Sequence, residues 1–233
     1  HAGEIIAGNT FDYASVHGKA VLNAGYPFYS CSNESFESDS TYRHQAWTVD
    51  LICGKQITTT VGSGMQQKYT VFSSEMQDAI RSFTSAGGNI LVSGANIGTD
   101  IWDNIYPVQI DSTFRENSIK FATDVLGYKW MGNFASRRAE IRGVRTNIAN
   151  YGNYSYYNEP NSLSYSVESP DGLVPSSHKG KTVLRYADTG ISAGVCHDGN
   201  GYRTACFGFP VEALKDSKKI DEIITITLEY FNR

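Results

Sequence analysis

The sequence predicts a three-layer α/β domain with a mainly parallel sheet and a late antiparallel hairpin. Helix and strand signals alternate through the first half, the strand-like runs are short and apolar, and a turn sequence joins two such runs near the end. Short apolar strands alternating with amphipathic helices are the pattern of a parallel sheet covered on both faces.

Residues 13–24 place Tyr13, Val16, Ala20 and Ala24 on one helical face, and Gly25 closes the segment. The run at 26–31 predicts a first strand that ends in the polar stretch Ser32, Asn33, Glu34, Ser35. A second strand, 48–53, ends at Gly54, Lys55 and Gln56. Ser74 and Gln77 form a capping-box pattern opening a helix whose buried stripe is Met76, Ala79, Ile80 and Phe83. Gly87 and Gly88 stop that helix and feed a strand at 89–93, and a further helix is expected over 114–125. Residues 146–166 are rich in Asn, Tyr and Ser without helical period, and read as a loop or hairpin insertion held down by Tyr151, Tyr154, Tyr156, Tyr157 and Tyr165. Strands return at 182–187, 191–197 and 202–208, the last two joined by the turn Asp198-Gly199-Asn200-Gly201. A closing helix at 217–231 buries Ile220, Ile223, Ile224, Leu228 and Phe231.

At 233 residues the chain reads as a single α/β domain over 1–233 carrying that insertion. A domain of this size hides roughly 70% of its unfolded surface, ample for a core. A net charge of -4 gives no electrostatic reason to expect nucleic acid as a partner. No run approaches the roughly 18 apolar residues of a spanning helix, so no membrane insertion is expected. The 15 tyrosines, 22 glycines and 19% charged residues resemble secreted bacterial proteins, so the expected location is secreted, cell-surface or periplasmic. Because the sequence begins at His1, the expectation is a fragment of a larger multidomain protein. Cys31, Cys53, Cys196 and Cys206 lack CxxC or Cys/His ligand spacing, so neither a metal nor a cofactor is expected. Cys31 and Cys53 end apolar runs and are expected as small buried hydrophobes. A turn at 198–201 would pair Cys196 with about Arg203, which argues against a bridge from Cys196 to Cys206.

Ligands of open parallel sheets gather outside the carboxyl ends of the strands. Three such ends offer Ser32, Asn33 and Glu34, then Lys55 and Gln56, then Asn96 and Asp100, with Asp12 and His17 expected on the same rim. The candidate catalytic residues are Glu34, His17, Lys55 and Asn96, and the candidate substrate contacts are Ser32, Gln56 and Asp100. Such a set suits acid–base work on a polar substrate, and it equally suits loop capping and solvation. Glu34 reads as an acid of raised pKa or as a helix cap, and His17 as a base or a packed histidine. His44 and His197 have no partner near in sequence. The pentapeptide Gly94-Ala95-Asn96-Ile97-Gly98 has the G-x-Nuc-x-G form of a nucleophile elbow, but the Asn96 amide is no ordinary nucleophile. A turn with positive φ would itself favour Asn there. In the insertion, Tyr154, Tyr156 and Tyr157 are candidate substrate contacts for sugar stacking, or anchors of a long loop.

The strings GNTFDYASVHGKAVLNAGYPFYSCSNESFE, WTVDLICGKQ, GGNILVSGANIGTDIW and YRTACFGFPVEAL, in this order, resemble a domain of large secreted Bacteroidetes proteins catalogued as xanthan lyases or, less often, N-acetylmuramoyl-alanine amidases. The resemblance spans most of the chain apart from the insertion. It implies a degenerate class I glutamine amidotransferase-like, flavodoxin-like domain, beside β-sandwich modules of the same chain, with polysaccharide as a ligand. The family's G-x-C-x-G motif falls on Gly94 to Gly98 with Asn96 in place of the cysteine. Its F-H-P-E motif is echoed by Phe207-Gly208-Phe209-Pro210-Val211-Glu212, with no histidine and the Glu displaced by one. Without nucleophile and base, glutamine hydrolysis is not expected. The resemblance therefore implies a non-catalytic glycan-binding or structural module, the alternative being a polysaccharide lyase or glycan hydrolase that uses the rim cluster.

Overall fold

The computed structural model describes residues 13–61, 66–103 and 112–233. Asp12, and the side chain of His44, lie outside the described residues. Helices α1 (Tyr13–Asn23), α2 (Asn33–Ser38) and α3 (Ser40–Gln45) precede strand β1 (Thr48–Gly54). Strands β2 (Thr59–Val61) and β3 (Gln66–Tyr69) lead to α4 (Ser74–Ser85) and β4 (Asn89–Gly94). Next come the short α5 (Thr99–Trp102) and α6 (Ser112–Phe121), whose end continues as a π-helical turn, Ala122–Leu126. Strands β5 (Tyr128–Gly132), β6 (Glu140–Gly143), β7 (Tyr154–Ser155) and β8 (Gly172–Pro175) follow. The last elements are β9 (Gly180–Tyr186), β10 (Ser192–Asp198), β11 (Arg203–Phe207) and α7 (Ser217–Phe231).

The fold is mixed α/β. Its main sheet runs β1-β4-β11-β10-β9-β6-β7. The part formed by β1, β4 and β11 is parallel, and from β11 onward every pairing is antiparallel. Antiparallel pairing thus reaches well beyond the late hairpin expected from sequence. Helices cover both faces. One core packs Leu91, Phe207 and Cys196 against Ala20 of α1 and Ile223 and Ile224 of α7. The other packs Val92 and Cys206 against Ile80 and Phe83 of α4 and Phe121 of α6.

Several local expectations change. Residues 26–31 form no strand but run as coil into α2, with the Phe28 ring packed on Gly18 of α1 rather than on a sheet face. Cys31 is consequently exposed, whereas Cys53 is buried as expected. The cap of α4 is Ser73, not Ser74: its hydroxyl accepts from the Met76 amide at 3.0 Å. Gln77 instead reaches inward to the Phe72 carbonyl and the Ser118 hydroxyl. In the hairpin Asp198 pairs with Arg203 and Cys196 with Ala205, two residues from the expected register. Cys196 and Cys206 are free and face opposite cores.

The insertion is anchored by its tyrosines. Tyr154 pairs through β7 with β6, and Tyr156, 0% exposed, stacks on Phe209 with ring centroids 6.2 Å apart. The Tyr151 hydroxyl meets Thr227 of α7 at 3.0 Å. Tyr156→Ala is therefore expected to lower the unfolding free energy by roughly 3–5 kcal/mol. Tyr157→Ala, at a half-buried position, should cost about 1 kcal/mol. Urea denaturation of both variants measures the contrast, and equal losses would contradict this anchoring.

Candidate functional site

Parallel pairing with β1 and β11 fixes where β4 ends, and its last glycine begins the elbow-like turn. A Cβ on Gly94 would lie 2.7 Å from Cβ of Cys53, and one on Gly98 would lie 2.4 Å from the Trp130 indole. Both glycines are required by this close packing. Asn96 is not a positive-φ residue, so the left-handed turn expected from sequence is not what selects it. Its Nδ2 instead donates to the carbonyls of Lys55, at 3.1 Å, and Gln56, at 3.4 Å. The amide ties the turn after β4 to the turn after β1.

Behind that turn lies Asp171, which no local pattern in the sequence singles out. One carboxylate oxygen accepts from the amides of Gly98 at 2.6 Å and Thr99 at 2.9 Å. The other accepts from the Thr99 hydroxyl at 2.5 Å and the Trp130 indole N–H at 2.9 Å. Burial pushes this carboxyl up to about 7 although all four donors pull it down. Its signal is hidden, because Ser169-Pro170-Asp171-Gly172 reads locally as a turn.

The second buried cluster centres on His17. Strand alternation sends Leu51 and Cys53 into one core and Asp50 to the opposite face, toward α1. There His17 Nδ1 lies 2.6 Å from Asp50 and Nε2 lies 3.3 Å from Glu212. The Tyr165 hydroxyl donates to the other Glu212 oxygen at 2.7 Å. Burial works against charge on His17, but Asp50 and then Glu212 outweigh it and raise the imidazole to about 10. Held charged between two carboxylates, this histidine is an ion-pair centre and a poor base at neutral pH. Asp50 is legible as the one charge in an otherwise apolar strand; Glu212 and Tyr165 are not.

The remaining candidates do not converge with it. Glu34 is exposed in the first turn of α2, where its own backbone amide and Ser32 lower its pKa, the reverse of the raised acid expected. Ser32 N-caps α2. Lys55 pairs with Glu168 at 2.6 Å and donates to the Ser166 carbonyl. Gln56 donates to the Thr70 carbonyl. Asp100 accepts from the amides of Thr58 and Val71 and from the Thr70 hydroxyl, joining the loops around β2 and β3. Tyr154 donates to Glu222 and Tyr156 is sealed in the core, which leaves neither ring a face for a sugar. The Lys215 ammonium sits 5.8 Å over the ring of Tyr157. Among the described residues, no three His, Cys, Asp or Glu side chains are grouped to hold a metal ion. No helix there is long and apolar enough to cross a membrane.

A cavity of about 420 Å³ opens beside His17, between α1, the 26–32 segment, β1 and α7. Tyr26, Phe28, Tyr29, Trp47, Thr48 and Asp50 are among its lining residues. It lies along the face of β1, away from the Asn96 turn.

No family model and no curated protein matches the sequence. The fold is similar to part of the β-galactosidase from Rahnella sp. R3, with a TM-score of 0.54, 14% identity, and coverage of 95% of this chain and 27% of that one. It is also similar to part of the exo-β-1,4-mannosidase Op5Man5 from Opitutaceae bacterium strain TAV5, with a TM-score of 0.52, 10% identity, and coverage of 95% and 31%. The chain thus spans under a third of the length of either enzyme. A GMP synthase component from Thermoplasma acidophilum is matched over 97% of this chain and 92% of its own, with a TM-score of 0.48 and 11% identity.

The His17 cluster has a pH signature. With a folded pKa of about 10 against 6.5 in the unfolded chain, its stabilisation is complete below about pH 6.5 and is lost as pH rises through about 10. Urea titrations at about pH 6 and about pH 10.5 should show that loss in the wild type and a smaller one in His17→Gln. His17→Ala, which leaves two buried carboxylates without their cation, is expected to cost on the order of 3–5 kcal/mol.

Proposed function

We propose that this chain is a non-catalytic module of a secreted or surface polysaccharide-processing protein. It would hold glycan or support neighbouring β-sandwich domains, on a flavodoxin-like, amidotransferase-like scaffold. The observation that carries this reading is the engagement of Asn96. At the position where an elbow presents its nucleophile, the amide bonds the Lys55 and Gln56 carbonyls. Beside it, the Cys53 thiol is buried and its pKa is raised by desolvation and by the Glu212, Asp50 and Asp100 carboxylates, the opposite of an activated thiolate. The fold match to parts of a mannosidase and a β-galactosidase supplies the carbohydrate setting. A lyase or hydrolase built on Glu34, His17, Lys55 and Asn96 ranks below this, because each of those groups has a separate structural partner.

Incubation with polysaccharides, xanthan included, is expected to yield neither unsaturated nor new reducing-end products. Asn96→Cys is expected to release no ammonia from glutamine, since no free base adjoins the turn among the described residues. Turnover of any glycan that Glu34→Ala abolishes would overturn the proposal.

A further inference from the structure

We infer that the cavity along β1 is a binding site for a single pyranose ring, stacked on aromatic faces and hydrogen-bonded by Asp50, Thr48 and Arg43. The inference rests on the glycan-holding reading above and gives it a place, which is not the tyrosine-rich insertion. The cavity, about 420 Å³, falls among sites that take small molecules, roughly 300–1,000 Å³.

Its apolar part is unusual for a protein surface. Phe28, Tyr29 and Trp47 are 43%, 49% and 41% exposed, and all three line this one cavity. Grouped exposed aromatics mark an interaction site more than scattered ones do. Tyr26 and Trp47 meet at 5.5 Å with their rings tilted by 47°, forming a corner. Phe28 lies over Gly18, where any Cβ would strike its ring.

Its polar part decides the ligand class. Arg43, Thr48 and Asp50 are among the lining residues, and the Asp50 side chain is 20% exposed. A guanidinium, a hydroxyl and a carboxylate thus border one cavity. Thr48 and Asp50, two apart on a strand, share one face. A carboxylate accepts, a guanidinium donates, and a hydroxyl does either. A cationic ligand would meet Arg43 and the charged His17, an anionic one would meet Asp50, and an apolar one would answer none of the three polar side chains. Sugar hydroxyls donate and accept, while the C–H face of the ring packs on indole and phenol.

Titration of the protein with methyl α-mannoside, methyl β-glucoside and methyl β-glucuronide, followed by NMR shifts and calorimetry, tests the site. Wild type is expected to bind at least one probe, and Trp47→Ala and Thr48→Val are each expected to weaken it by about tenfold or more. Circular dichroism and Tm establish that both variants are folded. Binding that survives both substitutions, or is lost with Tyr157→Ala instead, overturns the cavity as the site and leaves the glycan-holding reading intact. No binding of any probe by wild type overturns both, leaving only the role of support for neighbouring domains.

Discussion

The Asp171 carboxylate is the constraint on which the rest of the sheet's carboxyl end depends. A buried carboxylate is tolerable only when its lone pairs are filled, and here four donors from two parts of the chain, the Gly98 and Thr99 turn and Trp130, fill them. The same residue's amide bonds the Gly208 carbonyl, and its carbonyl accepts from Tyr186. One side chain and its peptide groups therefore fix the turn after β4, strand β5, strand β9 and the segment after β11. The amides at the start of α5, which in other α/β sheets face a bound anion, face Asp171 instead. The amide donors of this turn are engaged internally.

What was legible in the sequence was whatever is encoded locally. Helix α7 runs over Ser217–Phe231, the span its apolar stripe predicts, and β1 and β4 differ from expectation by a single residue at their ends. Where local pattern misleads, a single residue or a distant partner decides. The apolar run at 26–31 suggests a strand, but its Phe28 packs on Gly18 of α1 instead. Asp171 sits in a turn-like tetrapeptide, and its partners are 41 to 73 residues away. His17 was legible as a candidate, but its role rests on Glu212, 195 residues along the chain. No local pattern records such a pairing.

The two altered motifs of the amidotransferase resemblance acquire a physical relation through these contacts. Phe207 to Glu212 has no histidine, yet Glu212 is not idle: it meets an imidazole delivered from α1 and a phenol delivered from the end of the insertion. Glu212 is thus part of an ion-pair centre joining α1, β1 and the tyrosine-rich segment. An imidazole raised to about 10 between two carboxylates holds its proton too firmly to exchange it during turnover. Asn96 and His17 serve alike in this structure: each ties separate segments of the chain together.

Open α/β sheets take their ligands at the strand carboxyl ends, because loops there leave polar groups unpaired around a crevice. In this protein those groups pair with one another: Asn96 with two carbonyls, Asp100 with two amides, Lys55 with Glu168. Thr48 and Asp50 lie instead along the face of β1 that borders the cavity, with Arg43 beside them. Among the described strands β1 pairs with β4 alone, and the 26–31 segment crosses α1 as coil. That open flank leaves room for a cavity walled by Tyr26, Phe28 and Trp47. Because no strand covers that flank among the described residues, polar side chains of β1 and aromatic faces of the 26–31 segment come to border one cavity.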